Sequence, residues 1–471
     1  MMVPTASPAR LRQLFEQQLV HAPAMRATTV RQRRARLKAL QHALIKYRTH
    51  LQEAMYADFS KPAPEVDLVE LYPTIREIKH VCRHLHRWLA PQRVPTPLPL
   101  LGTRSWIRYE PKGVTLILSP WNFPINLTFI PLVSAIAGGN TAILKPSEHT
   151  PHTTQAIAEL VHHTFDESEV ALVQGGPDIA QALLDLPFHH IFFTGAPQIG
   201  KLVMAAAAKH LASVTLELGG KSPTIVDQSA HIPSAARRIA IGKYLNDGQI
   251  CIAPDYVLVH ESVKDELVEA LQRQVATFYT DNPKHSPWLC RIVNDRHFHR
   301  LSELLHDAAN KGASLISLGQ ADPASRFLPP TLVLNPSPNT RLMQEEIFGP
   351  LLPILTFKHL EEAVTHVNQG EKPLALYIFS KNRSHINYVL THTRAGGTAI
   401  NAVGIHFYNN YLPFGGSNFS GIGKSHGKYG FLEFTNARAV TEQRLPGIAD
   451  VLSPPYTTFK QRIITWALKW F

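Results

Sequence analysis

The apolar positions near the start of the chain repeat with the period of a helix. Between residues 10 and 89 one face carries Leu37, Leu40, Leu44, Ile45 and Leu51. This spacing predicts amphipathic helices that pack outside a sheet. Four prolines within residues 91–99 interrupt the pattern and predict an extended connection, which is followed by a short strand at 105–109.

From Gly113 onward, short apolar runs alternate with helical stretches. The predicted strands of this series are 114–118, 141–144, 170–173 and 191–193, and its helices are 131–137 and 153–163. A second series is predicted to begin at Val214, with strands 224–226, 256–260, 353–357, 375–379 and 397–401. Alternation of this kind is typical of βαβ units. We therefore predict an α/β fold of two doubly wound lobes, with any cofactor in the cleft between them.

The composition bears on the cellular location of the protein and says little about its activity. The 471 residues carry a formal charge of +11 with a pI near 9.5, which suits an anionic partner without choosing among nucleotide, acidic lipid and nucleic acid. Three widely separated cysteines form neither a disulfide framework nor a zinc spacing. No apolar run is long enough to span a bilayer. We expect a cytoplasmic protein.

Five separated motifs carry the chemical signal. They are SPWNFP at 119–124, FTG at 193–195 with Gly200, LELGGKSP at 216–223, GQIC at 248–251 and EEIFGP at 345–350. In this order they resemble an aldehyde dehydrogenase. The stretch GQICIAPDY at 248–256 and YGF at 429–431 are similar to the class 3 branch, whereas Ile250 departs from it in a way that could alter substrate fit.

The resemblance assigns three residues to catalysis. Cys251 is the expected nucleophile, which needs either a lowered thiol pKa or an adjacent base to react near neutrality. Asn122, together with the backbone N–H of Cys251, is expected to hold the oxyanion of a thiohemiacetal. Glu217 is expected to activate the water that hydrolyses the thioester. Taken alone, Asn122 could be a simple turn residue and Glu217 a solvated carboxylate.

The same resemblance implies NAD as cofactor, with NADP also accepted. Gly195 and Gly200 follow a strand and precede a helix, where a pyrophosphate could sit. The expected cofactor-binding residues are Lys145, Glu148, Gly195, Gly200, Glu346, Phe348 and Trp121. Of these, Lys145 and Glu148 would contact the adenosine ribose and Glu346 the nicotinamide ribose. Glu345 is an alternative second base.

The resemblance also divides the chain. Residues 1–95 and 111–210 are the expected Rossmann-like NAD(P)-binding domain, and residues 211–405 the catalytic domain. Residues 96–110 and 436–446 are expected to form a small β element that bridges subunits, and residues 447–471 an amphipathic tail. A homodimer is implied. Although 25 histidines include the helical pair His80 and His84, we expect no metal site, because no His-Glu-x-x-His arrangement is present.

Three functions remain open from the sequence. Oxidation of an aromatic or medium- to long-chain aliphatic aldehyde to the acid is favoured, and Phe407, Tyr408 and Tyr411 are candidates for an apolar mouth. The alternatives are acyl transfer to coenzyme A and a catalytically silent structural protein that binds cofactor only. No nucleic-acid partner is expected. The tail has basic and apolar faces that suit either a membrane surface or docking on a partner subunit or over the substrate mouth.

Overall fold

The computed structural model describes residues 7–470 and contains two large sheets, each covered by helices, and one small sheet. Phe471 lies outside the described residues, and so does the side chain of Trp470. The α/β class with two doubly wound lobes is confirmed. Five strands of the two large sheets are buried along their whole length, which explains why they read as continuous apolar runs: Val114–Leu118, Thr141–Lys145, His190–Thr194, Pro223–Val226 and Ala375–Phe379.

The sheet of the first lobe has six strands. Their spatial order is Gly421–Ile422, Ser213–Glu217, His190–Thr194, Val114–Leu118, Thr141–Lys145 and Val170–Leu172. All neighbours pair in parallel except Gly421–Ile422, which is antiparallel to Ser213–Glu217. The chain runs outward in both directions from Val114–Leu118. The crevice beside that strand is therefore the topological switch point at which such sheets bind ligands.

Helices cover both faces of this sheet. They are Pro8–Arg26, Val30–Lys46, Arg48–Phe59, Ala63–Val66, Tyr72–Leu89, Asn126–Gly138, Pro151–Thr164, Pro177–Leu184, Pro197–Ala208 and Gly427–Glu433, with a π-helical turn at Asp67–Leu71. Leu37, Leu40 and Leu44 are completely buried, as predicted. Ile45 was wrongly placed on that face: its side chain is 52% exposed, because it lies one residue and about 100° beyond Leu44.

The sheet of the second lobe has seven strands. Their spatial order is Ser314–Ser317, Thr331–Leu334, Leu351–Phe357, Tyr256–His260, Pro223–Val226, Ala375–Phe379 and Gly397–Ile400. Only the edge strand Ser314–Ser317 pairs antiparallel. The surrounding helices are Ile232–Tyr244, Lys264–Tyr279, Asp295–Asn310, Arg341–Gln344, Leu360–Gln369 and Arg383–His392.

The small sheet joins distant parts of the chain. Thr103–Pro111 pairs antiparallel with Thr435–Gln443 along nine residues and with Gln92–Arg93 on its other side. The strand expected at 105–109 is thus present and longer. The helices Ile448–Val451 and Thr458–Trp470 close the described chain, and in the second of them Phe459 and Leu468 are 70% and 81% exposed.

Two predicted boundaries are wrong. The strand predicted to open the second series at Val214 is Ser213–Glu217, which pairs in parallel with His190–Thr194 of the first sheet. The second sheet therefore begins at Pro223. The helix predicted at 131–137 begins earlier, at Asn126, because Pro131 lies inside a buried helix and does not start it. The division into functional domains and the subunit-bridging role of the small sheet stay predictions.

Candidate active site

Cys251 follows a left-handed stretch of backbone. The stretch comes after helix Ile232–Tyr244, and Asn246, Asp247 and Gly248 have φ angles of 52°, 53° and 74°. A Cβ at position 248 would overlap the carbonyl oxygen of Gly349, so only glycine fits there. This turn delivers Cys251 to the wall of a cavity of about 850 Å³ that residues of both lobes line.

Glu217 ends strand Ser213–Glu217 and faces the same cavity. The carboxyl group is buried, and neither oxygen has a hydrogen-bond partner among the described residues. Burial raises the pKa of Glu217 to about 7; Ser425 and Lys424 oppose the shift, whereas Glu433 adds to it. A carboxyl group with a pKa near neutrality is suited to take up and release a proton.

Asn122 is buried on the cavity wall beside the nucleophile loop. The side-chain Nδ2 of Asn122 donates to the backbone carbonyl oxygen of Gln249 at 3.0 Å, and the backbone carbonyl oxygen of Asn122 accepts from Nδ2 of Asn246 at 3.1 Å. Because a carboxamide nitrogen carries two hydrogens, one remains available for a substrate oxygen. Asn122 and the Cys251 loop are thus tied together across the two lobes.

The electrostatic surroundings of Cys251 do not favour the thiolate. Burial and the carboxyl groups of Glu346 and Glu217 raise the pKa of the Cys251 thiol well above its ordinary value, while the backbone N–H groups of Cys251 and Ile252 oppose the shift. Of the two routes to reactivity expected from the sequence, a lowered pKa is therefore wrong for the chain without cofactor. The adjacent base is the route that remains.

Four of the predicted cofactor residues share this cavity: Trp121, Gly195, Glu346 and Phe348. The rings of Trp121 and Phe348 meet edge to face, with their centroids 5.4 Å apart. Burial, followed by the nearby Asp255, raises the pKa of Glu346 to about 8. A Cβ at Gly219 would overlap the Glu346 carboxylate, so the Gly-Gly turn leaves space for that carboxylate.

The two glycines of the cofactor loop play different parts. Gly195 lies in the turn between strand His190–Thr194 and helix Pro197–Ala208. Gly200 lies inside that helix, where a Cβ would come within 2.9 Å of Leu218, so its role is close packing of helix against strand end. The prediction that Gly200 belongs to the turn is wrong, because the helix begins three residues before it.

Lys145 and Glu148 stand apart from the cavity wall. Lys145 ends strand Thr141–Lys145, and its Nζ donates to Glu148 Oε2 at 3.0 Å. Despite some desolvation, this contact helps to hold the pKa of Glu148 below its ordinary value. The pair lies at the carboxyl end of a strand beside the switch point, which fits a ribose contact.

Glu345 also lines the cavity, but its carboxylate is engaged in an ion pair, so its part as a second base stays a prediction. Its carboxylate accepts from Arg341 Nε at 2.8 Å, and the side chain is 41% exposed. The ion pair directs the carboxylate along helix Arg341–Gln344 toward Arg341, so it is already committed to a partner.

Lys221 and Asp255 support the segments around the cavity. The sequence left Lys221 open between a positioning role and a solvated lysine, and it did not point to Asp255. Lys221 Nζ donates to the carbonyl oxygens of Leu342 and Glu345, at 2.8 Å each, and pairs with Asp255. Asp255 in turn accepts from the Ile347 N–H at 2.8 Å. These bonds fix the loop that carries Glu346, and a lysine directly after the Gly-Gly turn was the available signal.

A second supporting group lies far away in sequence. Lys61, Glu65 and Glu70 are buried charged residues of the N-terminal helical region. Glu65 Oε1 accepts from the Asn246 N–H, and Glu70 Oε2 from the Asn126 N–H, both at 2.8 Å. No sequence motif pointed to them; their only signal was charge within an otherwise apolar stretch.

The aromatic residues expected at a substrate mouth are not on the cavity wall themselves. Phe407 packs edge to face on Phe414, which does line the cavity, with centroids 5.0 Å apart. Tyr411 is 66% exposed. Within residues 7–470 no group of three or more His, Cys, Asp or Glu side chains could hold a metal ion, and no helix is long and apolar enough to cross a membrane.

The comparisons with known proteins agree with this architecture. The model of the "Aldehyde dehydrogenase family" matches residues 1–440. The 4,4'-diaponeurosporen-aldehyde dehydrogenase of Staphylococcus aureus is 44% identical over 90% of this chain and 92% of its own length. Aldehyde dehydrogenase family 3 member B1 of Rattus norvegicus is 43% identical over 93% of each chain.

Solved structures show the same two-lobed fold. The substrate-bound state of Staphylococcus aureus AldH superposes with a TM-score of 0.93 at 41% identity, covering 97% of this chain and 99% of the other. An NAD-dependent aldehyde dehydrogenase from Sinorhizobium meliloti gives 0.86 at 28% identity, covering 96% and 90%. The fold and the cavity between its lobes define a cofactor-dependent oxidoreductase. The chain belongs to the aldehyde dehydrogenase family, and its class 3 resemblance is confirmed.

Proposed function

We propose that the chain oxidises an aldehyde to the carboxylic acid, with NAD as hydride acceptor, through covalent intermediates on Cys251. The observation that carries the proposal is that Cys251, Glu217 and Asn122 line one cavity, together with four of the expected cofactor residues. No other described cysteine has a comparable setting, because neither Cys82 nor Cys290 lines the cavity and Cys290 is fully buried.

The residues of the first lobe fit a dinucleotide. Thr194 Oγ1, at the carboxyl end of the central strand His190–Thr194, is buried without a hydrogen-bond partner. Gly195 and the start of helix Pro197–Ala208 follow directly, where a phosphate group would find backbone N–H donors. Trp121, Glu346 and Phe348 would hold the nicotinamide end. When bound there, NAD supplies the two-electron acceptor for the hydride.

In the first half-reaction Glu217 takes the thiol proton, directly or through water, and the Cys251 sulfur attacks the aldehyde carbon. The C–S bond forms as the carbonyl π bond opens, and the oxyanion is held by Asn122 Nδ2 and the Cys251 N–H. Departure of the hydride from the same carbon re-forms the carbonyl group and leaves a thioester on Cys251.

In the second half-reaction Glu217, which has by then released the thiol proton to solvent, accepts a proton from water as the water oxygen attacks the thioester carbon. The C–S bond then breaks, the acid leaves, and the sulfur regains a proton. The sum is aldehyde, water and NAD⁺ converted to carboxylate, NADH and two protons. Glu217 near the thioester favours water over coenzyme A as acceptor, and the presence of all three catalytic residues disfavours a silent structural role.

For the substrate we propose an aromatic or medium- to long-chain aliphatic aldehyde. The apolar packing of Phe407 on Phe414 beside the cavity supports it, as does the class 3 resemblance, and the Staphylococcus aureus relative is named for 4,4'-diaponeurosporen-aldehyde. For the cofactor we propose that NAD is preferred and NADP is usable, since the Glu148 carboxylate repels a 2′-phosphate but is partly neutralised by Lys145.

The C-terminal helix suggests a second function, contact with a membrane surface. Phe459, Trp466 and Leu468 of helix Thr458–Trp470 are 70%, 58% and 81% exposed, and the helix carries Lys460, Arg462 and Lys469 without an acidic residue. Apolar side chains flanked by cations are typical of helices that lie in the interface of an anionic bilayer. We propose a cytoplasmic homodimer that associates peripherally with membranes through this tail.

The direct test is NADH absorbance with the purified full-length protein, each cofactor in turn, and a panel of aromatic and aliphatic aldehydes, with and without coenzyme A. Turnover without coenzyme A supports acid formation. Turnover that requires coenzyme A would establish the acylating alternative, and no NADH from any aldehyde, despite measurable NAD binding, would establish the silent one.

A further inference from the structure

The backbone that presents Cys251 is held in an unfavourable conformation. Asn246 and Asp247 both have φ near +50°, a region that side-chain-bearing residues adopt at a cost. Such residues persist only where the surroundings fix them. Both are fully buried, so no solvent stabilises the turn.

The contact that fixes the start of this turn comes from the other lobe. The N–H of Asn246 donates to Glu65 Oε1 at 2.8 Å. Glu65 belongs to the short helix Ala63–Val66 of the first lobe, whereas the turn follows helix Ile232–Tyr244 of the second. Asn246 Nδ2 also donates to the carbonyl oxygens of Asn122 and Gln249 at 3.1 Å each, and the Asn246 carbonyl oxygen accepts from Gln249 Nε2 at 3.0 Å. Cys290 Sγ lies against both Asn246 Oδ1 and Glu65 Oε1, at 3.9 and 3.6 Å.

We propose that Glu65 is a positioning residue: its carboxylate holds the left-handed turn so that Cys251 stands at the correct place relative to Asn122. This inference rests on the proposed function, because it assigns Glu65 a part in that mechanism. Glu65 does not reach the cavity wall, so it acts through Asn246.

The loss of this acceptor has a defined consequence. The Asn246 N–H would become a buried donor without a partner, which favours rotation of the peptide out of its present conformation. Asn246 Nδ2 would move with it and release the carbonyl oxygens of Asn122 and Gln249. The oxyanion donor and the sulfur would then shift relative to each other, and a displacement of about 1 Å can cost a hundredfold in rate.

A matched pair of substitutions isolates the acceptor. Glu65→Gln and Glu65→Met both remove the negative charge beside Lys61 at similar volume, but only glutamine keeps an oxygen for the Asn246 N–H. We expect the rate of the NADH burst to stay within about threefold of wild type for Glu65→Gln and to fall by at least tenfold for Glu65→Met, with the aldehyde KM nearly unchanged.

A double-mutant cycle with Asn122→Ala separates positioning from simple stability. If Glu65 acts by placing Cys251 against Asn122, Glu65→Met combined with Asn122→Ala should burst no more slowly than Asn122→Ala alone. If the burst rate of the double variant fell by the product of the two single-variant effects, the two residues would act independently and the inference would be overturned. Equal burst rates for Glu65→Met and wild type would also overturn it.

If Glu65→Met fails to fold, Glu65→Gln decides alone: a burst within about threefold of wild type supports the acceptor role, and a folded Glu65→Gln whose burst falls tenfold overturns it, because the oxygen is still present. The wild-type burst is the reference for all of these measurements. A wild-type protein without any burst would contradict the proposed function itself and is recognised before any variant is made.

Discussion

Asn122 has two amide hydrogens, and one of them is committed to Gln249 in the folded chain. The other is the donor that the proposed mechanism places on the oxyanion. Asn122→Ala should therefore lower the rate of the NADH burst by on the order of a hundredfold to a thousandfold, the usual cost of one oxyanion donor. Rapid-mixing absorbance measures it, and Asn122→Asp, which offers no N–H, should behave alike. An unchanged burst would remove Asn122 from the site.

Cys251 contributes to chemistry and little to binding. Cys251→Ala should abolish aldehyde oxidation while NAD still binds with near wild-type affinity, because the cofactor contacts proposed for Trp121, Glu346 and Phe348 remain. A turnover assay measures the loss of aldehyde oxidation, and fluorescence titration measures the affinity for NAD. Cys82→Ala is the control variant, which should keep its activity. Residual turnover above about a thousandth of wild type would contradict a covalent mechanism.

For single residues, the sequence predicted the side chains that line the cavity but not the buried groups that hold them in place. Cys251, Glu217 and Asn122 stand in short motifs whose residue types follow from the chemistry. Glu65 lies about 180 residues before Asn246 and meets it only through the packing of the two lobes. The raised thiol pKa was equally hidden, because it depends on burial and on two carboxyl groups from other segments.

Strand Ser213–Glu217 shows that the local sequence pattern can predict a strand without predicting the sheet to which it belongs. Its alternation predicted a strand correctly, but nothing local to the strand says which sheet it joins. The parallel pairing with His190–Thr194 decides that question, and it places Glu217 at the carboxyl end of the first sheet. Element type followed from local pattern, whereas sheet membership came from long-range contacts.

The C-terminal helix carries a prediction of its own. Full-length protein should sediment with vesicles of anionic lipid at low salt and be released at high salt, because cations flank the apolar side chains. Chain lacking residues 453–471 should stay in the supernatant, and the variant Phe459→Ser with Leu468→Ser should bind more weakly than wild type. Full-length protein that stays in the supernatant would instead favour docking of the helix on a partner subunit.

Across the whole molecule, several buried carboxyl groups share one pH dependence. Burial raises the pKa of Glu70, Glu77 and Glu217 to about 7 each. Glu77 joins helix Tyr72–Leu89 to the Gly427 N–H and to Asn410, and its pKa in the folded chain exceeds the ordinary value of 4.5. The folded chain therefore binds this proton more tightly than the unfolded chain does. The contribution of protonated Glu77 to the free energy of unfolding is fully present below about pH 4.5 and is lost as the pH rises through about 7.

Glu77→Gln should remove this contribution, which amounts to roughly 3 kcal/mol for a shift of this size. Urea unfolding at pH 5 and at pH 8 measures the drop in unfolding free energy between the two pH values. We expect this drop to be smaller for Glu77→Gln than for wild type. Glu16→Gln, on the exposed side of the first helix, is the control. If the unfolding free energy of Glu77→Gln dropped as much between pH 5 and pH 8 as that of wild type, burial of Glu77 would not be the cause of the pH dependence.

The central claim is that one chain carries out two half-reactions, with Cys251 holding the acyl group and Glu217 needed to release it. Glu217→Gln tests it most directly in a rapid-mixing experiment with NAD and an aromatic aldehyde, followed by intact-protein mass measurement. Because water can still take the thiol proton slowly in Glu217→Gln, whereas the thioester loses its general base, we expect a slower burst of about one NADH per active site, then a stall, with the acyl mass on Cys251. Steady turnover at the wild-type rate, no burst at any pH, or a stalled protein without added mass would contradict it.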